Sequence, residues 1–163
     1  MVGYKLKTLR FVSGRILLAM ISLITITSCM NNSQGEKHLE IVQSLYADRN
    51  NLEKNLADDA IWIEAEGFPY KGTYVGYDAV VENVFSKLRS EWDGFKFSPE
   101  GYVSEKGQVV VHGRYTGVYK KSQIPLDVRA LHFYSLEEDK IVRFEQFVDT
   151  HIVLESMKVD DID

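Results

Sequence analysis

The chain is poor in the residues that cross-link a fold or bind metal. It contains one cysteine and three prolines among 163 residues, and its four histidines, at positions 38, 112, 132 and 151, show no metal-ligand spacing. A single cysteine cannot form a disulfide within the chain, so burial of apolar side chains must stabilise the fold. The same scarcity excludes a structural zinc site, and no metal is expected. Glycine-rich phosphate loops and nucleophilic-serine motifs are also missing, so no cofactor is expected.

Acidic residues are missing from the first 28 positions, which hold four of the chain's 19 lysines and arginines and none of its 24 acids. An apolar run from Ile16 to Ile26 follows, too short to span a bilayer. Together these features predict a signal peptide over residues 1–28. Its removal changes the formal charge from −5 to about −9, which argues against nucleic acid or anionic lipid as a partner.

The cysteine lies at the end of this leader. The run Ile26-Thr27-Ser28-Cys29 resembles the lipobox of bacterial lipoproteins, in which the leader is cut before the cysteine and the thiol carries a diacylglycerol. The resemblance implies lipidation at Cys29 and a membrane-anchored protein of the bacterial cell envelope. A plain signal peptide with a buried free cysteine and an uncleaved signal anchor are the alternatives. The residue after Cys29 is Met30 and not the aspartate that retains bacterial lipoproteins in the inner membrane, which favours the outer membrane.

The remaining chain has the length of one domain. Residues 29–37 are predicted to be a polar tether, residues 38–157 an α+β domain, and residues 158–163 an acidic tail. Apolar spacing predicts helices over residues 37–48, over 52–57 and from Tyr77 through Leu88. Alternation between turn signals predicts strands over residues 60–65, 96–103, 108–120, 125–136 and 140–149, and residues 151–157 form a last short helix.

Four segments of this domain carry a family resemblance. They are Leu56-Ala57-Asp58-Asp59-Ala60-Ile61-Trp62, Gly72-Thr73-Tyr74-Val75-Gly76-Tyr77-Asp78, His132-Phe133-Tyr134 and Lys140-Ile141-Val142-Arg143-Phe144. Their order and spacing resemble the SnoaL-like branch of the nuclear transport factor 2-like superfamily, which is related to ketosteroid isomerase. The resemblance implies a conical α+β fold, with three N-terminal helices packed in a strongly curved antiparallel sheet. It also implies a homodimer formed through the outer sheet face.

The same resemblance implies three catalytic candidates. Glu64 takes the position of the carboxylate that moves the substrate proton in ketosteroid isomerases, and His132 takes that of their oxyanion-hole acid. Asp149 matches the acid/base aspartate of the polyketide cyclase SnoaL. Each residue has a structural alternative: Glu64 at a solvated strand end, His132 as a satisfied core residue, and Asp149 as the N-cap of the last helix.

Aromatic residues are expected to line the cone beside these groups, with Trp62, Tyr74 and Phe147 as the ligand-binding candidates. A carboxyl group in apolar surroundings loses solvation, so its pKa rises and it becomes a usable base. Two functions follow: a lipid-anchored protein that binds a small apolar molecule, or a cofactor-independent isomerase, cyclase or dehydratase that moves a proton next to a carbonyl. The isomerases' oxyanion-hole tyrosine has no match, because its position falls near Gln43 and Tyr46 lies almost a turn further on.

Overall fold

The computed structural model describes residues 33–159, and the compact unit of the fold begins at Gln34. The predicted signal peptide, the lipid attachment at Cys29 and the tail from residue 160 lie outside the described residues. Within residues 33–159, no helix combines the length and the apolar character needed to cross a bilayer.

Six strands form one sheet, in the spatial order β2-β1-β6-β5-β4-β3. In chain order the strands are β1 Leu56–Glu64, β2 Gly72–Val75, β3 Trp92–Glu105, β4 Gln108–Tyr119, β5 Pro125–Glu137 and β6 Lys140–Val148. Neighbouring strands pair antiparallel except β1 and β6, which are parallel, so the sheet is mixed. The registers of β1, β3 and β5 shift along their length, and such bulges bend the strands and increase their twist.

Two helices precede the sheet. α1 covers residues 33–47 and begins within the segment expected to be a tether, and its buried side includes Val42 and Leu45. α2 is short, Asn51–Asn55, and buries Leu52. These leucines and the valine join the core cluster that also contains strand residues, as the apolar stripe of an amphipathic helix requires.

A longer helical segment follows β2. It consists of α3, Gly76–Val80, a π-helical turn, Val81–Phe85, and α4, Ser86–Glu91. Gly76 has φ of 77°, and a Cβ there would lie 2.7 Å from the carbonyl oxygen of Asp58, so glycine is required where this segment begins. The π-turn includes Phe85, whose ring meets Trp62 edge-on with centroids 5.7 Å apart.

The buried residues form two apolar clusters on the inner side of the sheet. The first cluster joins helices α1 to α3 to one end of the sheet and includes Val42, Val80, Val84, Val109, Val111, Ile141 and Phe144. The second lies beside the last helix, α5, Thr150–Ser156, and includes Phe68, Tyr70, Trp92, Tyr115, Tyr119, Val128 and Val153. The inward residues of β5 are shared between the clusters: Val128 belongs to the second and Tyr134 to the first. His132 lies between them.

The element boundaries differ from the sequence prediction in three places. The second helix ends at Asn55 and β1 begins at Leu56, because Leu56 pairs with Ile141 of β6. β2 occupies part of the segment predicted as a loop, where it pairs with the end of β1. β3 begins at Trp92, ahead of the predicted residue 96, because Trp92 pairs with Tyr119. Each difference arises from a strand pairing, with β6 for Leu56, with β1 for β2 and with β4 for Trp92.

Candidate functional site

A layer of buried polar side chains lies between the two apolar clusters. Glu64, His132 and Gln146 occupy inward positions of β1, β5 and β6, and each is at most 5% exposed. Strand alternation explains their direction, because Glu64 follows the buried Trp62 by two residues and Gln146 follows the buried Phe144 by two. Side chains buried this deeply need hydrogen-bond partners, so their partners show what the layer can do.

The carboxyl group of Glu64 has a partner on one oxygen and none on the other. The indole N–H of Trp62 donates to Oε1 at 2.7 Å, whereas the buried Oε2 has no hydrogen-bond partner. Burial raises the pKa of Glu64 from 4.5 to about 8, although the hydrogen bond from Trp62 opposes this rise. The acid is therefore mostly protonated at pH 7 and changes its charge near neutral pH.

His132 bridges two tyrosines. The hydroxyl of Tyr46 lies 2.7 Å from Nδ1, and the hydroxyl of Tyr115 lies 2.5 Å from Nε2. Burial lowers the pKa of His132 from 6.5 to about 3, because the imidazolium form would lose its solvation. The ring is therefore neutral at pH 7, with one nitrogen donating a hydrogen bond and the other accepting one.

The hydrogen bonds continue beyond His132 in both directions. The hydroxyls of Tyr46 and Tyr134 lie 2.8 Å apart, and the amide nitrogen of Gln146 donates to the Tyr115 hydroxyl at 3.0 Å. Burial raises the pKa of all three tyrosines, so each phenol stays neutral. Because Gln146 donates to Tyr115, the chain is satisfied when Tyr115 donates to Nε2 of His132 and Nδ1 donates to Tyr46. This chain of neutral groups fixes the orientation of His132.

Aromatic rings enclose the polar layer. The rings of Trp62 and Phe144 stack with centroids 3.7 Å apart, and Phe97 stacks on His132 at 4.0 Å. Tyr74, Phe85 and Phe97 are only half-buried, so the enclosure reaches the surface at these rings. The Tyr74 hydroxyl donates to the backbone carbonyl oxygen of Tyr70 at 2.9 Å, which holds its ring across the end of β1.

The structure brings together some of the residues predicted from the sequence and separates others. Glu64, His132 and Trp62 lie in the buried layer, and Tyr74 lies at its edge. Asp149 is exposed and is the N-cap of α5, where its carboxylate accepts a hydrogen bond from the backbone N–H of Ile152 at 3.4 Å. Phe147 is 50% exposed and lines an open groove beside Asp149. The three catalytic candidates therefore do not converge on one point.

Three partners of the buried layer were not predicted from the sequence: Tyr46, Tyr115 and Gln146. For Gln146 a signal existed, since it follows Phe144 at the strand spacing and a polar residue there is unusual. Tyr46 belongs to the apolar stripe of α1, and Tyr115 to the apolar alternation of β4, so both fit a purely structural role. Only the packing of α1 and β4 on β5 brings their hydroxyls to His132.

The described residues offer no metal site. Across residues 33–159, no group of three or more histidine, cysteine, aspartate or glutamate side chains could hold a metal ion. The layer instead consists of one acid, one neutral histidine, one amide and several phenols. Such groups can bind a polar atom by hydrogen bonds, and Glu64 can also give or accept a proton.

The fold and sequence have clear relatives. A family model described as a SnoaL-like domain matches residues 38–144. An NTF2-like protein from Burkholderia thailandensis E264 is 35% identical, with a TM-score of 0.72 over 75% of this chain and 98% of that one. No curated protein matches the sequence.

Two further solved structures share the fold at low identity. A putative SnoaL-like polyketide cyclase from Jannaschia sp. CCS1 is 16% identical, with a TM-score of 0.67 over 75% of this chain and 92% of that one. A protein with a ketosteroid isomerase-like fold from Catenulispora acidiphila DSM 44928, solved in complex with trimethylamine, is 15% identical, with a TM-score of 0.63 over 76% of this chain and 97% of that one. The family match and the 35% identical relative decide the classification. The chain belongs to the SnoaL-like domain family and has the NTF2-like cone fold.

Proposed function

We propose that this protein is a lipid-anchored envelope protein that binds a small, largely apolar molecule inside the cone, against Glu64. The unpartnered Oε2 of Glu64 is the observation that carries the proposal. A buried oxygen without a partner costs about 1–3 kcal/mol, and more when it is charged. A ligand that bonds Oε2 would remove this cost, and the surrounding rings would contribute apolar contact.

The enclosure suggests how such a molecule reaches Glu64. Trp62 and Phe144 fill the interior behind the carboxyl group, so binding requires a ring to move. Tyr74 and Phe85 are the half-buried rings beside Trp62, and Phe85 lies in the π-helical turn. Single π-turns within helices often occur at functional sites. We therefore place the opening between Tyr74 and Phe85.

Binding is tested with the full chain in detergent and a panel of small neutral carbonyl and aromatic compounds. At least one compound is expected to raise the melting temperature of the wild-type protein, because a ligand of the folded state stabilises it. The shift should be smaller in Glu64→Gln. Glu66→Gln is the matched control, since Glu66 is exposed two residues further along the chain and its variant should behave like the wild type. Equal shifts in all three proteins would place the binding site elsewhere.

Catalysis is the second candidate function. The pKa of Glu64, about 8, lies near physiological pH, which suits a general acid or base. His132 would act as a positioning residue, because tyrosine hydroxyls occupy both of its ring nitrogens. Exchange of deuterium into the carbon next to a bound ketone would reveal the reaction. The exchange should require the ionised Glu64 and disappear in Glu64→Gln, and exchange that survives the substitution would exclude this role.

The sequence of the leader supports the proposal that the protein is anchored to a membrane by a lipid. Cys29 is the chain's single thiol, so it is the one position where a thioether-linked lipid can attach. In cells fed an alkyne-bearing palmitate analogue, the wild-type protein is expected to take up the label and to fractionate with the outer membrane. Cys29→Ser should take up none. Equal labelling of the two proteins, or wild-type protein in the soluble fraction, would contradict the anchor.

The outer sheet face is our proposed homodimer contact. Val103 is 65% exposed and Phe147 is 50% exposed, and Leu131 and Phe133 lie half-buried on the same face. Grouped apolar side chains of this kind commonly mark interaction surfaces. Sedimentation of Cys29→Ser protein should give a dimer, and the additional change Phe147→Glu should give a monomer. A monomer without the second change would contradict the contact.

A further inference from the structure

Among the residues that the structure describes, no positively charged side chain pairs with the Glu64 carboxylate. None of the ion pairs among residues 33–159 includes Glu64. The titratable groups that interact with it are phenols from three other strands: Tyr74 of β2, Tyr115 of β4 and Tyr134 of β5. Its remaining partner is the neutral indole of Trp62. A buried carboxylate that lacks a cation is costly, and the protein supplies none here.

The hydrogen-bond chemistry of the pair locates this imbalance on one atom. An indole nitrogen only donates, so Oε1 of Glu64 must accept from Trp62. Oε1 therefore has its partner, whereas Oε2, which is buried and has none, is the oxygen open to a further bond. A ligand must meet the carboxyl group at this oxygen.

The rings around the site add to its negative potential. The face of an aromatic ring carries partial negative charge and attracts cations, and tryptophan does so most strongly. Trp62 and Phe144 stack on each other with centroids 3.7 Å apart, and Tyr134 packs on Phe144 with centroids 5.1 Å apart. Aromatic rings in such numbers are typical of sites that bind alkylated ammonium groups.

We propose that the molecule bound at Glu64 is a small organic ammonium cation, with its charge at Oε2 and its alkyl groups against the rings. This inference rests on the proposed ligand-binding function of the cone. A neutral carbonyl ligand would accept the acid proton, but it would bring no counter-charge for the carboxylate once Glu64 is ionised. A cation provides the missing charge and contacts the rings favourably.

Charge balance defines what happens on binding. The protonated acid releases its proton to solvent as a permanent cation binds, which leaves a carboxylate paired with the ammonium. A neutral amine instead takes the proton from Glu64 directly and remains as the ammonium. In the first case the affinity must rise with pH until Glu64 is already ionised in the free protein.

Three probes with the same branched head separate cation binding from other contacts. Choline carries a permanent positive charge, 3,3-dimethylbutan-1-ol is its neutral isostere, and 3,3-dimethylbutan-2-one presents a carbonyl. Each is titrated calorimetrically into the full chain in a maltoside detergent at pH 6.5 and pH 9. Choline is expected to bind at least about tenfold more tightly than the alcohol at pH 9. With a pKa of about 8 for Glu64, its affinity should rise about 30-fold between the two pH values.

Two variants check that the effect comes from Glu64. Glu64→Gln keeps the shape and the acceptor for Trp62 but removes the charge, so it should lose both the preference for choline and its pH dependence. Glu66→Gln, at an exposed position, should keep both. Circular dichroism verifies that each variant is folded.

Other outcomes overturn the inference in distinguishable ways. If the alcohol or the ketone binds as tightly as choline, the cation is wrong but the ligand-binding function stands. If choline binding persists in Glu64→Gln, the cation site lies elsewhere. If none of the three probes binds, the inference also fails, and the melting shifts with the neutral panel decide separately whether the cone binds a ligand.

Discussion

Glu64→Gln is expected to raise the free energy of unfolding by about 3 kcal/mol at pH 7 and by about 5 kcal/mol at pH 9. The folded protein holds the acid proton until about pH 8, whereas an unfolded glutamate loses it near 4.5. Unfolding therefore releases a proton between these values. The contribution of Glu64 to wild-type stability therefore falls as pH rises from 4.5 to 8 and is constant above that range, and the uncharged glutamine avoids this loss.

Urea unfolding at pH 5, 7 and 9 measures this effect. The difference between Glu64→Gln and wild type should be about 1 kcal/mol or less at pH 5 and should widen at each higher pH. Glu66→Gln removes an exposed acid and should follow the wild-type curve. Parallel curves for wild type and Glu64→Gln would show that the carboxyl group is not buried as described. A substitution that removes a native acid and makes the protein more stable is typical of functional residues. Proteins keep such residues although they lower the stability of the fold.

His132→Leu is expected to lower the free energy of unfolding at pH 7 by about 3 kcal/mol or more. Leucine fills a similar volume but leaves the hydroxyls of Tyr46 and Tyr115 without their shared partner. Tyr46 keeps Tyr134 as a partner and Tyr115 keeps Gln146, but each hydroxyl loses one buried hydrogen bond. Each loss costs about 1–3 kcal/mol. His112→Leu is the control, since His112 is exposed and lies on the same sheet, and its change should stay within about 0.5 kcal/mol of wild type.

Acid titration separates the hydrogen bonds of His132 from simple packing. Burial lowers its pKa to about 3, below the ordinary 6.5, so unfolding takes up a proton between these values. The contribution of His132 to wild-type stability should therefore fall as pH drops from 6.5 to 3, by about 4 kcal/mol at pH 3. His132→Leu should lose this dependence and equal or exceed the wild type at pH 3. An unchanged acid limb in the variant would contradict the neutral, buried histidine.

The two buried groups together shape the pH profile of the wild-type protein. Between pH 4.5 and 6.5 the contribution of Glu64 falls while that of His132 rises with the same slope, so they cancel. These groups therefore produce a stability plateau in that interval, with losses on either side. The acidic loss belongs to His132 and the alkaline loss to Glu64.

The differing roles of these residues bear on the proposed function. His132 is fully hydrogen-bonded, so it contributes to the architecture and orientation of the layer. Glu64 has one carboxyl oxygen without a hydrogen-bond partner, so it lowers the stability of the fold without adding a structural contact at that oxygen. Such a residue directs attention to a ligand, because only the bound state can supply its missing partner.

Hydrophobic periodicity accounts for much of the fold. The stripe with Val42 and Leu45 predicted α1, and the alternation from Ala60 to Ala65 predicted a strand there, which lies within and beside β1. Boundaries that depend on distant pairing were missed. Leu56 belongs to β1 because it pairs with Ile141, which lies more than eighty residues away in the chain. The strand propensity of the residues around Leu56 does not depend on that contact, so it could not predict the boundary.

The sequence by itself determined the class of fold and the family, because apolar periodicity and the order of motifs are read along the chain. The resemblance only implied that Glu64 and His132 point inward and left structural alternatives open for both. Only the tertiary structure decided their chemical states. It left Oε2 of Glu64 without a partner, enclosed His132 between Tyr46 and Tyr115, and turned Asp149 outward as a helix cap. Solvation and hydrogen bonding depend on which groups pack together in space, and those groups come from helices and strands far apart in the chain.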